Sequence, residues 1–179
     1  MRILLAIAAA TLCFAATESR VSRASILFVE NAMNEKLSAR SADPYDLMGT
    51  ARGTYLEGYG ALFTVELDLI NAGPLNISPF KPTITREEKA TTRDRKTKNL
   101  VELKETMRNL IANASVTLEG LPASERVSME SILFYYSWEE SRGLPHRVFM
   151  SAVKQKLLDA KAAHAGQPEL AAIIEEQER

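Results

Sequence analysis

The most constraining feature of the sequence is an alternating run that follows three closely spaced glycines, in the stretch RGTYLEGYGALFTVELD at 52–68. Phe63, Val65 and Leu67 alternate with polar residues, and a period of two is typical of a strand with one buried face. The preceding segment, 52–57, contains a threonine and a tyrosine, which favour strands. Gly58-Tyr59-Gly60 lies between the two runs and can supply the positive φ angles of a tight turn. The sequence therefore predicts a β-hairpin.

A glycine-rich loop that binds a nucleotide phosphate is the alternative interpretation of the same stretch. Such a loop needs a lysine and a hydroxyl after its last glycine, and it opens a helix. Here Ala61 and Leu62 follow, and then the alternating run. The hairpin is the better interpretation.

The rest of the chain reads as an α+β domain at 18–165. Apolar residues at helical spacing predict helices at 18–40, ended by Asp43-Pro44, and at 100–114. Strands are expected at 127–138 and 147–150, with a helix at 151–163; a single helix from Pro145 is the alternative to the last two. A mobile basic loop is predicted at 71–98, and an acidic tail or short helix at 166–179. We expect an antiparallel sheet of about four strands with helices mainly on one face, and the order of elements also fits two αββ units.

The N-terminus has the three parts of a secretory signal peptide, which we place at 1–17. Arg2 is followed by an apolar stretch to Leu12 and then by small residues, so cleavage is expected after Ala15 or nearby. The apolar stretch is shorter than the ~18 residues of a membrane anchor. A lipoprotein with Cys13 as the lipidated residue is a weaker alternative because bulky Leu12 precedes it. We therefore expect an exported bacterial protein, secreted or periplasmic, with no integral membrane segment after cleavage.

The composition argues against several kinds of functional site. Cys13 is the only cysteine, so the expected mature chain can form no disulfide, thiolate nucleophile or cysteine metal site. The net charge is -1 and the isoelectric point is near 6.2, which argues against a general nucleic-acid binder. The two histidines do not have the spacing of a zinc site. We expect no metal and no cofactor.

Two sets of residues are weak candidates for a site. His146, Glu66 and Asp68 can act in general acid–base catalysis if the fold brings them within hydrogen-bond reach of one another. A solvated strand face and a surface histidine are the ordinary alternatives. Aromatic and guanidinium groups that suit ligand binding are found at Tyr59, Tyr136, Trp138 and Arg142.

The function indicated by these patterns is that of a non-catalytic binding or assembly module in the envelope or outside the cell, with another envelope or extracellular protein as its partner. The first alternative is a secreted hydrolase that uses carboxylates and a histidine. The second is binding of a polyanion by the basic stretch at 86–98. Acidic residues are interleaved in that stretch, which favours an ordinary solvated segment.

Overall fold

A computed structural model describes residues 21–39, 45–71 and 84–179. Its described part is an α+β fold with four helices and one six-stranded mixed sheet. In chain order the elements are α1 (Arg23–Ser38), β1 (Asp46–Leu47), β2 (Arg52–Leu56), β3 (Gly60–Asp68), α2 (Arg86–Thr117), β4 (Arg126–Leu133), β5 (Arg147–Val153), α3 (Lys154–Ala162), α4 (Gln167–Ile173) and β6 (Glu175–Glu178). The predicted signal peptide, the Asp43-Pro44 break and residues 72–83 of the predicted loop lie outside the described residues.

The sheet is mixed, which corrects the predicted antiparallel sheet of about four strands. Its strand order is β1-β3-β4-β5-β6, and β2 also pairs with β3. All pairs are antiparallel except β3 and β4, which run parallel from Gly60 opposite Arg126 to Leu67 opposite Leu133. A parallel pair needs a crossover connection, and α2 lies in the connection between these two strands.

The predicted hairpin is confirmed. Strands β2 and β3 pair from Arg52 opposite Thr64 to Leu56 opposite Gly60. Gly58 and Gly60 have φ angles of 78° and 137°, a region that L-residues with a side chain rarely adopt. A Cβ atom on Gly60 would lie 1.9 Å from the carbonyl oxygen of Arg126, so this glycine also permits the close approach of β4. The glycines serve the turn and the strand pairing.

The helices bury one face of the sheet. Strand residues that point to this face, such as Phe63, Met129 and Met150, are fully buried with the apolar stripe of α2. At the edge of the sheet, Gly53 lets α1 approach closely, because a Cβ there would lie 2.8 Å from the side chain of Ile26. A single core cluster joins all of these side chains.

The opposite face of the sheet is left open by the described helices. Alternation places residues 62, 64, 66, 130, 132, 147, 149 and 177 on this face, and each is half-buried or exposed. The side chains of Asp68, Ser128 and Ser151 follow the same alternation but are buried, and the two serines hydrogen-bond each other and contact Tyr59 and Arg126 respectively. We call this surface the open sheet face.

The basic stretch at 86–98 is helical, so the predicted loop is wrong over these residues. It forms the first turns of α2, which begins with a capping box between Thr85 and Glu88. The apolar stripe of the predicted helix at 100–114 continues backwards through the buried residues Asn99 and Lys96. A helix N-cap and a buried helical stripe together outweigh the high charge of the segment.

In the C-terminal third the predicted strand followed by a helix is confirmed, with β5 leading directly into α3, and the alternative of a single helix from Pro145 is wrong. The predicted tail at 166–179 contains the short helix α4 and also a strand, β6. Ion pairs tie β6 to its neighbours: Glu175 pairs with Arg126 at 2.7 Å, and Glu176 pairs with Arg108 at 2.8 Å. Strand β6 has no apolar residue, and for that reason its sequence gives no strand pattern.

Candidate functional site

The three side chains predicted as a catalytic set lie apart. Glu66 is exposed on the open sheet face, whereas Asp68 is 1% exposed at the end of β3. His146 is exposed, and its ring meets Tyr135 edge-on with 5.1 Å between ring centroids. Among the described residues, no hydrogen bond joins any two of these three side chains. These three side chains are therefore not in direct contact with one another.

Asp68 instead belongs to a buried ionic cluster with Lys96 and Glu139. The Lys96 ammonium lies 2.8 Å from Asp68 Oδ1, contacts Glu139 Oε2, and donates a hydrogen bond of 3.2 Å to the carbonyl oxygen of Phe134. The three charged side chains are only 1–3% exposed. The Tyr135 ring centroid lies 4.7 Å from the ammonium, within cation–π range.

This cluster carries one positive and two negative charges. Burial raises the pKa of Glu139, and nearby Asp68 adds to that rise, although the Lys96 contact opposes it. Glu139 Oε1 is buried and accepts no hydrogen bond from the described residues. Burial and the neighbouring carboxylates of Glu139 and Asp68 also raise the pKa of Tyr135.

The position of the cluster indicates a structural role. It joins α2, the end of β3 and the turn after β4, which are far apart in sequence. Its charged atoms are closed to solvent, so a substrate has no access to them in this conformation. The cluster therefore stabilises the packing of α2 on the sheet and is a poor candidate for an active site.

Lys96 and Glu139 were not predicted as interacting residues from the sequence. The pattern that identifies Lys96 is its position four residues before Leu100, on the stripe that continues through Leu103 and Met107. A lysine on a buried stripe requires hydrogen-bond acceptors, and a carboxylate is the acceptor that also balances its charge. Which carboxylate meets it depends on how the strands are arranged, and local spacing does not contain that information.

A third buried carboxylate, Glu30 of α1, is fully paired. Its two oxygens accept hydrogen bonds of 2.8 and 3.1 Å from the Arg23 guanidinium, and one also accepts a bond of 2.7 Å from the Gly53 amide. Burial alone raises the pKa of Glu30, but these donors outweigh it and lower the pKa below its ordinary value. Glu30 anchors α1 to β2.

The predicted binding residues are divided among three places. Tyr136 and Trp138 stack with 6.0 Å between ring centroids in the turn after β4. Tyr59 lies at the other end of β4, where its carbonyl accepts from the Arg126 amide. Arg142 is exposed, and its carbonyl accepts a hydrogen bond from the Arg93 side chain. Only the Tyr136–Trp138 pair is brought together.

Trp138 also lines a groove of about 440 Å³ beside the start of α2. The basic helical turns next to it are partly neutralised, since Arg93 pairs with Glu140 at 3.0 Å and Lys96 is buried. These contacts remove two of the six basic side chains that polyanion binding by 86–98 requires.

A groove of about 410 Å³ lies on the open sheet face across β4, β5 and β6. Its lining consists of Glu130, His146, Arg147, Phe149, Gln177 and Arg179. Four of these six residues are exposed, and Glu130 and Phe149 are half-buried. We call it the sheet groove. Of the residues predicted for a site, it contains His146.

Comparisons with protein-family models, with curated proteins and with solved structures find no match to this chain. Within the described residues, no group of histidine, cysteine and carboxylate side chains is arranged to hold a metal ion. Within the same residues, no helix has both the length and the apolar character needed to cross a membrane.

Proposed function

We propose that the protein is an exported, non-catalytic binding or assembly module that meets a protein partner through the open sheet face. The observation that carries this proposal is the asymmetry of the sheet. One face is buried under helices, while the other presents half-buried Leu62, Ile132 and Phe149 among polar side chains. A mixed surface with partly exposed apolar groups is typical of a protein interface.

The N-terminal segment supports the exported part of the proposal. Its charged start, apolar centre and small residues match a signal peptide, and the partner then belongs to the envelope or the extracellular space. A secreted hydrolase is the weaker proposal, because Asp68 is engaged by Lys96 away from Glu66 and His146.

Photo-crosslinking in living cells tests the proposed surface and captures a partner whose identity is open. The photoreactive residue p-benzoyl-phenylalanine replaces Glu66 or Gln177 on the open sheet face in the full chain. The matched control positions are Val101 and Lys156, which are exposed on α2 and α3. We expect the same adduct from both sheet positions and none from the helical positions.

Two results would contradict the proposal. An adduct formed from the helical positions but not from the sheet positions would move the interface to the other side of the molecule. Turnover of a substrate that is abolished by His146→Ala would replace the binding module by the hydrolase.

A further inference from the structure

We propose that the sheet groove binds an acidic, extended peptide segment of the partner through a carboxylate held between Arg147 and Arg179. This inference rests on the proposed function, since it names the chemistry that the open sheet face recognises. It assigns the ligand class from the pairing of the strands and from the charges around the groove.

Arg147 and Arg179 are direct cross-strand neighbours. The amide of each donates to the carbonyl of the other, with N···O distances of 2.9 and 3.1 Å, which defines a hydrogen-bonded antiparallel pair. Side chains of such a pair project from the same face with their Cβ atoms about 5 Å apart. The pairing therefore places the two arginine side chains next to each other on the open sheet face.

Like charges in this arrangement repel each other and destabilise the strand pair. The described residues offer little compensation. Glu130 approaches the Arg147 guanidinium only to 3.4 Å, and the Arg147 side chain remains 56% exposed. Arg179 has a single long contact, 3.5 Å to the Gln177 amide oxygen, and no ion pair among the described residues. A carboxylate between the two guanidiniums would turn this repulsion into attraction.

The remainder of the groove has apolar and polar positions beside the arginine pair. Glu130, Phe149 and Gln177 form the adjacent row across β4, β5 and β6. Half-buried Phe149 offers a contact for an apolar side chain next to the bound carboxylate, and exposed Gln177 offers an amide. An extended ligand with an acidic side chain at position i and an apolar side chain at i+2 presents both to the sheet, one to each row, because side chains two residues apart point to the same side.

The shape of the groove favours a peptide segment over a free small molecule. Sites for small molecules enclose most of the ligand surface. Most of the lining residues of this groove are exposed, so a small carboxylate would remain largely in water. An extended segment gains further contacts along the open sheet face beyond the groove.

The test is a titration of the full chain with a fluorescein-labelled peptide, Gly-Glu-Ser-Leu-Ser-Glu-Gly, followed by fluorescence anisotropy at low salt. We expect measurable binding, and at least a tenfold loss of affinity in the Arg147→Ala/Arg179→Ala variant, which is about the effect of losing one charged hydrogen bond. Arg52→Ala is the matched control, because Arg52 is exposed on the same face outside the groove. Its affinity should equal that of the unmodified protein, and the thermal midpoint of each variant checks folding.

Further measurements test whether the ligand must be negatively charged and whether its carboxylate belongs to a peptide or to a small molecule. Glu130→Gln removes the acidic side chain that pairs with Arg147 among the described residues and should strengthen binding. The peptide with glutamine in place of both glutamates should bind at least tenfold more weakly, and free glutarate should compete only at far higher concentration than the peptide.

The inference is overturned if the peptide shows no binding, if the double-arginine variant behaves like Arg52→Ala, or if the glutamine peptide binds equally well. Competition by glutarate at the same concentration as the peptide would overturn it in favour of a small-molecule site. If the peptide does not bind as expected while crosslinks from Glu66 and Gln177 persist, only the assignment of an acidic peptide as the ligand is wrong. Loss of those crosslinks would remove the proposed function itself.

Discussion

At the scale of single residues, the molecule is defined by charges that it buries. Lys96 is enclosed by Asp68 and Glu139, and Glu30 is enclosed by Arg23 and the Gly53 amide. Buried charges cost desolvation energy unless they are paired, so the removal of one partner is far more damaging than its contact distance suggests. The pKa shifts of the two buried glutamates have opposite directions, since the pKa of Glu139 is raised and that of Glu30 is lowered.

Replacement of Lys96 by methionine is expected to lower the free energy of unfolding by about 3–5 kcal/mol at pH 7, since it leaves two buried carboxylates without their cation. Urea unfolding measures this change. Lys98→Met is the matched control, because Lys98 is exposed two residues further along the same helix, and it should stay within about 0.5 kcal/mol of the unmodified protein. Equal stabilities for the two variants would show that the cluster is not closed to solvent.

The two buried glutamates should give opposite pH trends when each is replaced by glutamine. The pKa of Glu139 is higher in the folded chain than in the unfolded chain. The contribution of Glu139 to the free energy of unfolding is therefore complete below the unfolded-state pKa of about 4.3, and it is lost as pH rises through the folded-state pKa. The stability of Glu139→Gln relative to the unmodified protein should therefore improve as pH rises from about 4.3 towards neutrality.

Glu30 follows the reverse course. Its lowered pKa stabilises the fold above about 4.3, and this contribution is lost as pH falls through the folded value. The deficit of Glu30→Gln should be largest near neutral pH and should shrink in acid. Urea unfolding at a series of pH values measures both trends, and parallel trends would contradict the assigned environments.

At the scale of elements, the sequence predicts what local periodicity determines. The hairpin of β2 and β3, the stripe of α2 and the step from β5 to α3 follow from residues that are close in sequence. The parallel pairing of β3 with β4 does not, because it depends on a long crossover that contains the whole of α2. Strand β6 was missed for a related reason: its residues are polar, and partners from α2 and β4 hold it in place.

The same division applies to the candidate site. Sequence reasoning selected His146, which lines the sheet groove, but it did not predict that Arg147 and Arg179 are neighbours. Their proximity follows from the register of β5 and β6, and neither residue type nor spacing reveals that register. Asp68 was selected as a catalytic candidate, and its lysine partner became visible only in the folded chain.

Replacement of Gly60 by alanine tests the parallel pairing of β3 and β4. The added Cβ would lie 1.9 Å from the Arg126 carbonyl oxygen at an unfavourable φ of 137°, so we expect a loss of about 3 kcal/mol or more. Gly58→Ala is the control, since its Cβ would meet no atom within 4 Å and it should cost only about 1–2 kcal/mol for its positive φ. A smaller loss in Gly60→Ala than in Gly58→Ala, measured by thermal unfolding, would contradict the register.

At the scale of the whole molecule, the proposed function rests on two features. One is a sheet with one covered and one open face, and the other is the predicted signal peptide. The helices fill one side with a single core, and the open sheet face is the surface that we propose for recognition. Such a chain needs no disulfide to be stable, which agrees with the lack of cysteine after residue 13.

Export is tested by expression of the full chain in a Gram-negative host and mass measurement of the periplasmic fraction. We expect a product that lacks the N-terminal segment up to residue 15 or 17, and retention in the cytoplasm when residues 3–12 are deleted. An uncleaved chain in the cytoplasm would contradict export while leaving the fold unaffected.

Cysteine accessibility tests the central claim most directly, because both proposals require the open sheet face to be open in the full chain. In a Cys13→Ser background, single cysteines replace Glu66 or Gln177 on the open sheet face and Ser131 or Ala152 on the helix-covered face. We predict that a maleimide labels the first pair nearly as fast as in the urea-unfolded chain and the second pair about a hundredfold more slowly or less. Equal protection of both pairs would show that another part of the chain covers the face, and it would contradict the account.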